Sequence, residues 1–255
     1  MKLRYISDIH LEFYKPAIVD RLVQEIKPES DDEVLILAGD IGYPRSESYD
    51  KLMKHAEAAF KKTFVIAGNH EFYRCEKDGI SGMLLFMREY FKQFKHVSFL
   101  DNSCEAYEGY TFVGSTLWSR VTNPRYTIND VHIKGFSVSG YNQLNEECVE
   151  YLKSTLANLN TKVVVITHHM PSESLINPKY LEGEVRNYNQ WFYCDMDDFI
   201  LEHKYTIACW IYGHTHTPSV SSVYGVPMLC NPMGYPGENS DIDFKAHLNL
   251  NSTIL

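Results

Sequence analysis

Short apolar runs punctuate the chain at residues 3–6, 34–38, 64–67, 97–100, 111–113, 162–167 and 207–212. Each is rich in β-branched or aromatic side chains and bounded by turn formers, which predicts buried strands rather than helices. Between them the period changes. Residues 49–61 place Leu52, Met53, Ala56 and Phe60 on one face, and 83–94 and 147–159 behave similarly, so helices are expected there. Near the end come three short runs at 220–223, 227–229 and 247–250, separated by Gly, Pro and Asn, a pattern that predicts consecutive antiparallel strands. The expected fold is α/β (α+β): two mixed β-sheets packed as a sandwich and flanked by helices. No repeat or low-complexity linker divides the chain, so residues 1–255 are taken as a single domain.

Polar clusters recur where the apolar runs stop. Asp8 and His10 follow the first, and in extended chain residues two apart point the same way. Gly39 and Asp40 end the second, where a bare carboxylate costs several kcal/mol unless it is paired or bound to a cation. Gly68, Asn69, His70 and Glu71 end the third. His168 and His169 close the run 162–167, and Pro171 keeps a helix from starting at once. His214 and His216 follow the run 207–212, again two apart. Singly, each has an ordinary explanation: a turn Asp, a helix N-cap, a satisfied core histidine. Together they supply oxygen and imidazole donors without thiolate at the carboxyl ends of strands, which suits manganese, iron or zinc in a catalytic site.

The order D-x-H, G-D, G-N-H-E, H-H and G-H-x-H, covering residues 8–216, resembles the calcineurin-like metallophosphoesterase superfamily. The flanking Phe72 and Tyr73, and the later Asn231, Pro232, Gly234, Tyr235 and Pro236, are similar to a branch of small stand-alone members. The resemblance implies two divalent metal ions (Mn, Fe or Zn). Asp8, His10, Asp40 and His216 would hold one; Asp40 would bridge to a second, completed by Asn69, His168 and His214. It implies that His70 is no ligand but the catalytic general acid over the scissile phosphate. Of the doublet, His168 lies nearer the strand end and is preferred to His169. Glu71 either orients the site or caps a helix.

Substrate contacts are expected from Tyr73, Trp118, Arg120 and Tyr235, with Tyr43, Arg125 and Trp191 as further candidates; each could stack on a base or grip a phosphate. The polar, irregular segment 119–135 is expected to form a rim or lid.

Charge narrows the substrate. A formal net charge of −9, with Lys and Arg dispersed, argues against a long duplex nucleic acid, which needs a basic stripe. No apolar run approaches the roughly 18 residues of a membrane span. The first residues turn acidic too soon for a signal peptide. Six scattered cysteines without a C-x-x-C pair suit reduced thiols in a cytoplasmic protein. The expected activity is metal-dependent hydrolysis of phosphate esters, as a phosphodiesterase on a small or nucleotide-like substrate. A phosphomonoesterase, a nuclease and a catalytically silent metal-binding module of the same fold are the alternatives.

Overall fold

A computed structural model describes residues 1–75, 79–239 and 242–250. The chain begins with β1 (Lys2–Ile6), α1 (Pro16–Glu25), β2 (Glu33–Ala38), α2 (Glu47–Ala59), β3 (Lys62–Ile66), α3 (Gly79–Phe91) and β4 (Val97–Phe99). The four strands lie parallel in the order of the chain, and β2, buried at all six positions, sits in the middle of their sheet. The second half supplies β5 (Ser103–Tyr107), β6 (Tyr110–Ser115), α4 (Val138–Leu156), β7 (Lys162–Thr167), α5 (Asp197–His203), β8 (Ile207–Tyr212), β9 (Ser219–Val223) and β10 (Val226–Cys230). In this sheet β6, β7, β8 and β10 run parallel, with β5 and β9 as antiparallel edges.

Strands buried on two faces divide their side chains between two cores. One set, including Leu3, Val34, Ile36, Phe64, Phe112, Val164, Ile166 and Ile211, fills the sandwich, where Phe64 and Phe112 stack at 4.2 Å across the sheets. The alternate set meets the helices. Leu35, Leu37 and Val65 share a core with Leu52, Met53, Met83 and Met87, while Val113, Val165 and Trp210 share it with Cys148, Leu152 and Phe199. Two mixed sheets covered by helices are the architecture that the apolar pattern predicts.

Three particulars differ. The run at 247–250 does not continue the terminal hairpin: only β9 and β10 pair antiparallel. β10 already bonds β8 on its other edge, so His247–Asn249 (β11) instead closes the open edge of β1. Helix α4 starts well before residue 147, capped by Ser137, whose hydroxyl accepts from Gly140 N–H at 3.1 Å. Its buried Tyr141, Asn145, Cys148, Leu152 and Leu156 keep a helical spacing that Val138 and Gly140 obscure in the sequence. Helix α1, which packs Val19, Leu22 and Val23 inward, and the half-exposed edge strand β5 are further elements absent from the sequence expectation.

Candidate metal centre

The carboxyl ends of β1, β2, β3, β7 and β8 meet at one end of the sandwich, and there the chain turns sharply. Among the described residues, five of the nine non-glycine residues with positive φ lie here: Asp8 (51°), His10 (52°), Asp40 (53°), His214 (67°) and His216 (49°). Left-handed conformations cost a non-glycine residue on the order of 1–2 kcal/mol each and persist only where the surroundings enforce them. The sequence expectation that Asp8/His10 and His214/His216 share a face by extended geometry is therefore corrected. The loops turn instead, because their backbones bond one another: Asp8 N–H to Gly39 O, His10 N–H to Asp40 O and Gly213 N–H to His168 O, all at 2.9–3.0 Å. Glycine is needed where the loops touch: a Cβ on Gly68 would lie 2.2 Å from Asp40 Oδ1.

Two groups of donors result at the centre, Asp8, His10 and His216, and Asp40, His168 and His214; a third, His10, Glu12 and His70, adjoins the first through His10. Asp40 Oδ2 faces both, 3.9 Å from His10 Nε2 and 3.3 Å from His168 Nε2. His216 Nε2 lies 3.1 Å from His10 Nε2 and 3.5 Å from Asp8 Oδ1. Asn69 Oδ1 is 3.1 Å from His168 Nε2.

Each imidazole is turned by an acceptor on its outer nitrogen. Nδ1 of His168 faces Ala38 O (2.9 Å), and Nδ1 of His10 and of His216 face Glu12 (3.1 Å) and Glu238 (2.6 Å). For His214 the outer atom is Nε2, which faces Trp191 O at 3.2 Å. Carbonyl and carboxylate oxygens only accept, so these nitrogens carry a hydrogen and the inner ones face the centre. His169 is different: its nitrogens face Thr116 O (3.2 Å) and the Tyr141 hydroxyl (3.5 Å), and it belongs to neither group.

The electrostatics are those of buried anions in need of a cation. Burial opposes charge on Asp40, yet His168, His70 and His10 hold its carboxyl well below the usual range. Burial would lower His168, but Asp40 and Asp8 outweigh it and push the imidazole up to about 10. Burial and the neighbouring His169 and His168 keep His214 well below the ordinary range, and burial together with His168 brings His169 down to about 3.

His70 stands beside the donors. Its backbone N–H binds Asp40 Oδ1 at 2.8 Å, its Nδ1 faces Glu12 at 3.0 Å, and its Nε2 faces the Tyr235 hydroxyl at 3.1 Å. Burial would lower its pKa, but Asp40, Glu12 and Glu71 outweigh that and raise it. Glu71 caps no long helix: its carboxylate accepts from Gly68 N–H (2.7 Å), Ile41 N–H (2.8 Å) and Asp40 N–H (3.0 Å), clasping two of the loops. Burial and the nearby Asp40 push its carboxyl up to about 8, against the pull of His168 and of these donors.

Three positioning carboxylates escaped the sequence reading. Glu12, side chain 1% exposed, bridges His10 and His70 and sits only two residues past His10, the one available signal. Asp130, fully buried, accepts from Asn69 Nδ2 (2.7 Å) and the hydroxyls of Tyr73 (2.7 Å) and Tyr141 (3.0 Å), so Asn69 turns its oxygen inward. Glu238 holds His216 from a turn with no sequence signal of its own.

The expected substrate contacts divide. Tyr73 lies tilted against His70 at 4.1 Å, and Tyr235 lies 4.7 Å from the rings of both His10 and His216. Trp118 is instead packed beneath the site among Phe72, Tyr141 and His169. Arg120 turns away to pair with Glu146 at 2.8 Å, because its neighbours Ser119 and Val121 point inward. Trp191 is buried, Arg125 is exposed on segment 119–135, and Tyr43 lines a cleft beside His70.

A profile of calcineurin-like phosphoesterases matches residues 1–218. The chain belongs to that family. Its fold is accordingly that of metal-dependent phosphoester hydrolases, and the family uses a dinuclear metal centre. The calcineurin-like chain here offers donors that fit one: two groups of carboxylate and imidazole, with Asp40 Oδ2 facing both. It is 26% identical over 280 residues to the uncharacterised protein L509 of Acanthamoeba polyphaga mimivirus, covering 99% of this chain and 98% of that protein. Among solved structures it resembles the phosphopantetheinyl hydrolase PptH of Mycobacterium tuberculosis, with TM-score 0.76, 18% identity, and coverage of 97% and 95%. It also resembles TT1561 of Thermus thermophilus, with TM-score 0.61, 11% identity, and coverage of 99% and 95%. At such identities the likeness is one of fold.

Proposed function

We propose that this phosphoesterase is a dinuclear metal-dependent phosphodiesterase acting on a small, nucleotide-like ester. One observation carries this: five strand ends converge on two donor groups that share Asp40, each imidazole already turned by an outer acceptor. Asp8, His10, Asp40 and His216 would hold one ion, and Asp40, Asn69, His168 and His214 the other, with manganese, iron or zinc suited to these donors. Two such ions, when bound, supply Lewis acidity for phosphate oxygens and lower the pKa of water towards neutrality.

The chain's own residues do the rest. Glu12 fixes the His70 ring through Nδ1, leaving Nε2 at the mouth of the cleft as the proton donor to the departing alkoxide. Tyr235 and Tyr73 confine the leaving group beside that nitrogen. Six cysteines outside any disulfide suit a reducing compartment, and we place the protein in the cytoplasm. Among the described residues no helix is long and apolar enough to cross a membrane. The acidic balance disfavours a long duplex partner. Rates on bis-p-nitrophenyl phosphate and p-nitrophenyl phosphate test the diester reading: kcat/KM higher for the diester supports it, and the reverse order overturns it.

A further inference from the structure

His70 opens onto a cleft of about 730 Å³. Its walls include Phe13, Tyr43, Tyr73, Arg74, His132 and Tyr235, and among the described residues none that lines it is acidic, although the whole chain carries −9. The Arg74 guanidinium lies 4.5 Å above the Tyr43 ring, and among the described residues no carboxylate pairs with it. An arginine held over an aromatic ring is kept in place while its N–H groups stay free to grip an anion. At the mouth, Phe13 is 50% exposed and makes a T-shaped contact with Tyr235 at 5.4 Å, so half of its surface stays open to whatever enters. The floor is the pair of rings around His70.

Resting on the hydrolase reading above, we infer that this cleft receives the departing half of the diester and that this half is itself a nucleotide. Its base stacks among the aromatic side chains and its own phosphate is held by Arg74. The substrate is then a phosphodiester between two nucleotides, a short oligonucleotide rather than a simple alkyl or aryl ester. Water bonds its oxygen to phosphorus and gives a proton to solvent. The P–O bond to the nucleotide breaks, the electron pair stays on the departing oxygen, and His70 Nε2 supplies the proton there.

The test compares the metal-loaded protein with Arg74→Met, which keeps an apolar stem on Tyr43 but loses the fork. Substrates are a deoxyadenosine dimer carrying a terminal phosphate at each end, the same dimer without them, and bis-p-nitrophenyl phosphate. Arg74→Met should lower kcat/KM for the phosphorylated dimer by about 10–100-fold, the worth of a charge-assisted pair of hydrogen bonds. The bare dimer and the aryl ester should change less than about 3-fold, within the range of a weak exposed contact. If the two dimers fall alike, or the aryl ester alone is hydrolysed, the inference is overturned and the hydrolase reading stands. If no ester is hydrolysed, the hydrolase reading falls, and calorimetry decides the subsite. Deoxyadenosine monophosphate binding more tightly than inorganic phosphate, and losing that advantage in Arg74→Met, supports it; equal binding of the two overturns it.

Discussion

The His70 imidazole has a carboxylate behind it and a hydroxyl before it, which supports the proposed role of proton donor. His70→Ala should therefore lower kcat by about 10²–10⁴-fold at unchanged metal content, and by less for esters with good leaving groups. Elemental analysis beside the kinetics checks this, and lost metal would make His70 a ligand. Glu12→Gln reaches both His10 and His70, so it should also weaken metal retention by about 10–100-fold, which separates its effect from that of His70→Ala. Arg120, out at Glu146, should be replaceable by Ala with kcat/KM unchanged. At this scale the clustering was legible, because carboxylate and imidazole recur at the ends of five apolar runs, although each cluster alone has an ordinary explanation. The turns that aim them were not. Nothing in the letters of Asp8 or His214 announces a left-handed backbone, which exists only because neighbouring loops bond to it. Glu12, Asp130 and Glu238 were silent for a related reason: a second carboxylate gains meaning only from the histidine or amide it reaches across the fold.

Among the elements, segment 119–135 is tied down along its length. Val121 N–H binds Asn142 Oδ1 at 2.8 Å, Gln190 Oε1 accepts from Thr122 and Asn123 at 2.8 and 2.7 Å, and Trp191 Nε1 donates to Tyr126 O at 2.7 Å. Its innermost fastening is the turn Asn129–His132, through Asp130. Asp130→Asn puts an amide among three donors, so it should lower metal affinity by about 10–100-fold and speed hydrogen exchange across 119–135 together. Mass spectrometry of exchange alongside metal titration reads both; a variant that exchanges faster yet keeps its metals would break the link. The strands were the legible elements, because full burial leaves an unbroken apolar run such as the one in β2. Pairing was less so. The departure of β11 to β1 depends on which edges remain open once both sheets exist, and that is a property of the assembled sheets.

For the whole molecule, burial governs chemistry away from the site as well. Cys194 and Cys209 have thiols pushed up to about 12 by burial, while Cys104 alone of the six is exposed. A thiol reagent at pH 8 should modify Cys104 quickly and the other five only on unfolding, which an absorbance titration counts. Left-handed turns and packed carboxylates at one end of the sandwich store strain that a bound cation offsets. Chelation should then lower the melting temperature, and excess manganese restore it; an ion at a hundred times its Kd contributes about 2.7 kcal/mol. Both effects presuppose ions, and the most direct test of the account is their number. Elemental analysis of gently purified protein should find close to two transition-metal ions per chain. A value near zero that added manganese does not raise would contradict the proposed centre and the chemistry built on it.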